Sequence, residues 1–142
     1  MLVAQVTDIH LGFEPDSPQE FNRQRLDAAL AALSALDPLP DLLLATGDLV
    51  DRGDVASYRR LAEALSALPF PVHYALGNHD VRRNFSAVFP EFGLTEGFLQ
   101  YVIETEPLRL IVLDTLEEGR HGGGFCETRA AWLTERLDEA PD

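Results

Sequence analysis

Three short polar strings, each closing an apolar run, constrain this chain more than anything else in it. The runs Leu2–Thr7, Asp41–Thr46 and Pro71–Leu76 read as buried β-strands. They are followed by Asp8-Ile9-His10, by Gly47-Asp48-Leu49-Val50-Asp51-Arg52-Gly53 and by Gly77-Asn78-His79-Asp80. The segments between them have helical spacing, so the chain alternates strand and helix. Continuous apolar strands joined through helices make a parallel sheet covered by those helices. In such a sheet, functional groups collect beyond the carboxyl ends of neighbouring strands. Asp, His, Asp, Asn and His are therefore expected to meet in one pocket.

The helices have their own signals. Ser17-Pro18 offers a cap residue before a proline suited to a first turn. Leu26, Ala29, Leu30, Leu33 and Leu36 then recur at helical spacing, and Asp37-Pro38 and Pro40 stop the pattern. Asp54 caps a second helix whose apolar face is Val55, Tyr58, Leu61, Ala62, Leu65 and Leu68. Beyond Asp80 the character changes. Phe98–Thr105 and Leu108–Asp114, separated by Glu106-Pro107, read as an antiparallel hairpin. Leu116–Phe125 is a glycine-rich loop, and a last helix carries Ala130, Leu133, Leu137 and Ala140 on one face.

At 142 residues the chain is long enough for one domain with a core and too short for two comfortable ones. No apolar run approaches the ~20 residues that span a bilayer. Residues 1–7 lack the basic start of a secretory signal. One cysteine, Cys126, excludes an internal disulfide framework and fits a reducing compartment, so the expectation is a cytoplasmic protein without a membrane partner. The net charge of −13 repels a nucleic-acid backbone, which argues against polymeric DNA or RNA. A small phosphoester drawn to a local cation is compatible with it.

The residue types at the strand ends point to metal chemistry. Asp8 and His10 alternate at a strand end, so their side chains are expected on one side. Oxygen and imidazole donors together suit Zn, Fe or Mn better than Mg or Ca. Asp48 is placed to bridge two cations through its two carboxylate oxygens, and Asn78 offers an amide oxygen to the second. Two cations about 3.5–4 Å apart clamp a phosphoryl group and lower the pKa of a shared water. The hydroxide so formed attacks phosphorus in line. His79 is expected to reach a phosphate oxygen or the leaving group as donor or general acid. Asp51 is placed to accept from its other ring nitrogen. Arg52 reads either as a phosphate contact or as a surface arginine in a tight turn.

In order and at strand ends, the three strings resemble the first three motifs of the calcineurin-like metallophosphoesterases: D-x-H, G-D-x-x-D and G-N-H-[DE]. The stretch Asp51–Leu61 (DRGDVASYRRL), Leu113-Asp114-Thr115 and the glycine-rich loop before Trp132-Leu133 resemble the cyclic-nucleotide and glycerophosphodiester phosphodiesterase branch. The resemblance covers essentially the whole chain. It implies the N-terminal half of a four-layer α/β/β/α sandwich, two divalent or trivalent transition metals, and hydrolysis of a small phosphodiester. Under it, Asp8, His10, Asp48 and Asn78 match ligand positions, with Asp48 bridging, and His79 with Asn78 matches the substrate-facing positions. Two alternatives stay open: a phosphomonoester or nucleotide-sugar hydrolase on the same scaffold, or a non-catalytic half-site that binds metal or a partner.

The family pattern continues into a strand ending in a ligand histidine and then a G-H-x-H block, and nothing here matches either. The expectation is therefore one domain, residues 1–142, truncated before the C-terminal histidine motifs. A fragment, a partner chain supplying the rest, or a decayed site would each explain that. An uncovered sheet edge and apolar face would favour a homo-oligomer. His73 reads as a packed strand histidine, and His121 as an exposed loop residue with substrate contact as the sharper alternative. Cys126 reads as a small apolar residue, and Trp132, Tyr58 and Phe98 as packing residues.

Overall fold

A computed structural model describes residues 1–17 and 19–139. Strands β1 (Val3–Val6), β2 (Leu42–Thr46) and β3 (Val72–Ala75) form a parallel sheet in that order. The register places Val3 beside Leu42 and Ala45 beside Tyr74. β2 is central, and its Leu43 and Ala45 are fully buried. This is the mixed α/β arrangement that the alternating pattern predicts, with each strand shorter than its predicted run by a residue or two.

Helix α1 (Phe21–Ser34) starts later and ends earlier than its sequence signals suggest. Glu20, not Ser17, is the residue before its first turn, and Pro18 lies outside the described residues. The reason lies in Glu20 itself. Its buried carboxylate accepts the Gly12 N–H at 2.5 Å and pairs with Arg60 of the next helix, which holds the preceding segment in a turn. Helix α2 (Val55–Leu65) begins where the sequence places it. Asp54 accepts the Ser57 N–H at 2.9 Å, and Tyr58, Leu61 and Leu65 are buried in the core.

No element is expected over residues 81–97 from the sequence pattern. There the chain forms α3 (Arg82–Val88) and a single 3-10 turn (Pro90–Phe92). Phe85 stacks on Phe89 with centroids 4.8 Å apart, and both approach Tyr74 of β3 and Tyr58 of α2. This aromatic cluster fastens α3 to the strand that leads into Asn78 and His79. With only seven residues, α3 is too short to be read from periodicity alone.

The predicted hairpin is present as β4 (Tyr101–Glu104) and β5 (Arg109–Val112), paired antiparallel. The Tyr101 hydroxyl donates to the Tyr74 carbonyl and accepts the Tyr74 N–H, both at 2.8 Å. A phenol thus meets the exposed edge groups of β3. Helix α4 (Glu127–Asp138) docks by polar contacts: Arg109 Nη1 donates to the Arg136 carbonyl at 2.9 Å, and Arg129 Nη1 to that of Asp114 at 2.9 Å. Its predicted apolar face holds only in part. Leu137 is 56% exposed, Ala140 lies outside the described residues, and the buried side chain is Arg129, set 4.6 Å from the Phe98 ring.

Candidate metal centre

The parallel ladder continues past the strands and brings the three polar strings side by side. Asp8 N–H donates to the Gly47 carbonyl (3.2 Å), His10 to Asp48 (2.9 Å), Leu11 to Leu49 (3.3 Å), and Gly47 to Ala75 (2.9 Å). Asp8 and His10 therefore lie beyond β1, not as alternating strand residues. Asp8, His10 and Asp48 have φ of 53°, 46° and 48°, in the left-handed region that non-glycine residues avoid. Such conformations cost of order 1–3 kcal/mol each and persist where surrounding bonds impose them. All three coincide with predicted ligand positions.

Donor atoms of His10, Asp48 and His79 all lie within 4.8 Å of one another, a group that can hold a metal ion. His10 Nε2 is 3.6 Å from Asp48 Oδ2, and the imidazoles of His10 and His79 meet edge to face at 4.5 Å. Asp48 Oδ1 accepts the His79 N–H at 3.0 Å. One oxygen of this carboxylate is thus held by the neighbouring loop while the other faces His10. Glycine is required at position 77, because a side chain there would overlap the Asp48 carboxylate and N–H.

Asp8 lies outside that tight group but lines the same cleft. A cavity of about 600 Å³ is lined by Asp8, His10, Asp51 and His79 together with Phe13, Phe21 and Arg25. A second, of about 290 Å³, is lined by Asp8, Asp48, Asn78 and Thr115. Asp8 borders both, so the predicted ligand positions line two neighbouring cavities, His10 the first and Asp48 and Asn78 the second. The set is oxygen and imidazole, and it fits a cation of the Mn, Fe or Zn kind.

His79 Nδ1 donates to the main-chain carbonyl of Asp51 at 2.7 Å. The carboxylate expected to do this sits 3.8 Å from that nitrogen and 3.5 Å from His10 Nδ1, between the two rings. Because a carbonyl only accepts, the neutral ring of His79 carries its lone pair on Nε2. Arg52 is not drawn into the cleft: its side chain is 63% exposed, with Nε 3.7 Å from Asp51 Oδ2.

Behind the cleft sits a residue whose role the sequence did not reveal. Asp80 is 2% exposed, and its Oδ2 accepts N–H groups from Gly77 (2.9 Å) and Leu49 (3.2 Å) while Oδ1 accepts the Tyr58 hydroxyl (2.9 Å). Tyr58 in turn accepts the Val81 N–H at 3.0 Å. One carboxylate thus ties the Asp48 loop to the Asn78 loop. Burial pushes its pKa above the usual carboxylate value, against the pull of the Gly77 and Leu49 donors. The acid in Gly77-Asn78-His79-Asp80 was visible, but not its inward direction.

His73 is packed as expected, its ring 6.2 Å from those of Phe92 and Tyr101. Cys126 is not the apolar residue expected. It is exposed at the start of α4, where the Arg129 N–H and guanidinium lower its thiol pKa to about 7.

A parallel sheet whose strand-end loops gather carboxylate, imidazole and amide groups defines the class: an α/β domain with a candidate metal centre at its strand ends. The chain belongs to the calcineurin-like phosphoesterase family, whose model matches residues 1–135. A probable glycerophosphodiester phosphodiesterase of Arcobacter nitrofigilis is 34% identical over 100% of this chain and 54% of its own length. A probable cyclic nucleotide phosphodiesterase of Rhodopseudomonas palustris is 38% identical over 83% of this chain and 44% of its own. The 3',5'-cyclic adenosine monophosphate phosphodiesterase of Escherichia coli is 27% identical over 99% of this chain and 51% of its own. The chain spans about half the length of the curated relatives it matches. Among the described residues, no helix is long and apolar enough to cross a membrane.

Proposed function

We propose that this chain is the metal-binding half of a phosphodiesterase acting on a small diester of the cyclic-nucleotide or glycerophosphodiester type. The observation that carries the reading is the convergence of His10, Asp48 and His79, with Asp8 and Asn78 lining a cavity beside Asp48. Asp8, His10 and Asp48 would hold a first cation, and Asp48 with Asn78 a second. When bound, such cations neutralise phosphoryl charge and bring the pKa of a water toward neutrality.

The chain's own residues do the remaining work. The Asp51 carbonyl engages His79 Nδ1 and leaves Nε2, once protonated, to donate to a phosphoryl or leaving-group oxygen. Asp48 is oriented by the His79 N–H, so ligand and proton donor are set by the same loop. The names of the relatives favour a diester over a monoester. We further propose a single domain and a cytoplasmic setting.

Turnover of bis(p-nitrophenyl) phosphate against p-nitrophenyl phosphate tests the reading. It is measured on this chain and on a form extended to the length of the relatives, each with Mn²⁺, Zn²⁺ or Fe²⁺. Metal-dependent hydrolysis of the diester by the extended form is expected. Preference for the monoester would overturn the substrate class, and metal binding without turnover in either form would favour a non-catalytic domain.

A further inference from the structure

Asn78 stands between two cavities. One is shared with Asp8, Asp48 and Thr115. The other, of about 190 Å³, lies among Asn78, Thr115, Glu117, His121 and the backbone of Gly122 and Gly123. Thr115 also borders both, so the segment after β5 flanks the cavity lined by Asp8, Asp48 and Asn78. We propose that this segment is a second wall of the site, and that His121 is a substrate-contact residue donating to a phosphoryl oxygen of the diester. The proposal rests on the phosphodiesterase reading above.

The wall is anchored at both ends, with residues 118–123, His121 among them, exposed between the anchors. Asp114 at its base is 1% exposed and accepts from Arg82 Nε (2.8 Å) and Nη2 (2.7 Å) and from the N–H groups of Leu99 (2.8 Å) and Leu116 (2.9 Å). Arg82 opens α3, directly after the Asn78 loop, so one ion pair ties the wall to that loop. At the far end Gly124 N–H donates to the Thr115 carbonyl at 2.9 Å, closing the loop on itself. Gly123 lies so close that an added Cβ would come within 2.8 Å of that carbonyl.

The chemistry of the lining selects an anion contact by one residue. Glu117 has the wrong sign for a phosphate and is engaged by Arg120 at 3.0 Å. Thr115 offers a hydroxyl. His121 is the lining side chain able to present a cationic N–H, and a charge-assisted hydrogen bond to phosphate is roughly twice as strong as a neutral one.

The chain has four histidines, so their ring Cε1–H signals can each be followed by NMR. On adding Mn²⁺, paramagnetic broadening is expected to be strong for His10, His79 and His121 and weakest for His73, which sits back along β3. With Zn²⁺ in place of Mn²⁺, inorganic phosphate should shift the His121 signal. His121→Gln should weaken phosphate binding about tenfold and leave the broadening of His10 and His79 unchanged. The proposal is overturned if His10 and His79 broaden while His121 stays as sharp as His73, or if His121→Gln binds phosphate as well as the parent chain. If no signal broadens, the metal reading fails and this proposal falls with it.

Discussion

Removing the Asp80 carboxylate is the perturbation whose size the structure fixes best. Asp80→Ala leaves three buried donors without an acceptor: Leu49 N–H, Gly77 N–H and the Tyr58 hydroxyl. Each unsatisfied buried group costs about 1–3 kcal/mol. The carboxylate is itself disfavoured by burial, so the lower end applies, and the net loss should be about 3 kcal/mol. Asp80→Asn behaves differently. Its amide can turn its oxygen to both N–H groups and donate to Tyr58, leaving only the hydroxyl proton unpaired, a loss of about 1 kcal/mol. Urea unfolding of the two variants and the parent should rank them in that order. Against a typical total stability of ~5–15 kcal/mol, both shifts are measurable. Metal affinity should fall with stability in Asp80→Ala, because the Asp48 and Asn78 loops lose their tie. An alanine variant within ~1 kcal/mol of the parent, or an asparagine variant as damaged as alanine, would refute the assignment of Asp80 as that tie.

Other outcomes follow from the same geometry. Gly77→Ala should destabilise by about 1–3 kcal/mol and weaken metal binding, since its Cβ overlaps Asp48, and urea midpoints with a metal titration check both. In a form extended to the relatives' length, His79→Ala should keep its metal and lose on the order of 10²–10³ in kcat; metal loss would instead make His79 a ligand. Burial lowers the His73 pKa, so the unfolded chain takes up this proton before the folded one does. Stability from this residue is full above the unfolded value of about 6.5 and is lost as pH falls through the lower folded value. His73→Phe should therefore lose less Tm than the parent between pH 7.5 and 5, as read by thermal melts.

The parts legible in the sequence were those written in short periods. The three apolar runs, the Asp54 cap and the polar strings after each strand depend on local pattern, and each stands where that pattern places it. What escaped depends on contacts between distant residues. Glu20 moves the start of α1 because Gly12 and Arg60 claim its carboxylate. Helix α3 owes its existence to the packing of Phe85 and Phe89 on Tyr74 and Tyr58, not to length or periodicity. At the site, residue types announced the ligands, but not that the Asp51 carbonyl would hold His79. Nor did they announce that Asp80 and Asp114 would turn inward as hubs. A carboxylate in a sequence gives no sign of which way it faces.

The central claim is that the strand-end residues hold metal, and elemental analysis of purified chain with and without Asp48 tests it most directly. After incubation with Mn²⁺, Fe²⁺ or Zn²⁺ and removal of excess metal, the parent should retain a stoichiometric cation. Asp48→Ala, which removes a ligand from both cation positions, should retain none, whereas Asn78→Ala should keep the cation held by Asp8, His10 and Asp48, and circular dichroism should show the helices of both intact. Metal content unchanged in Asp48→Ala would contradict the account.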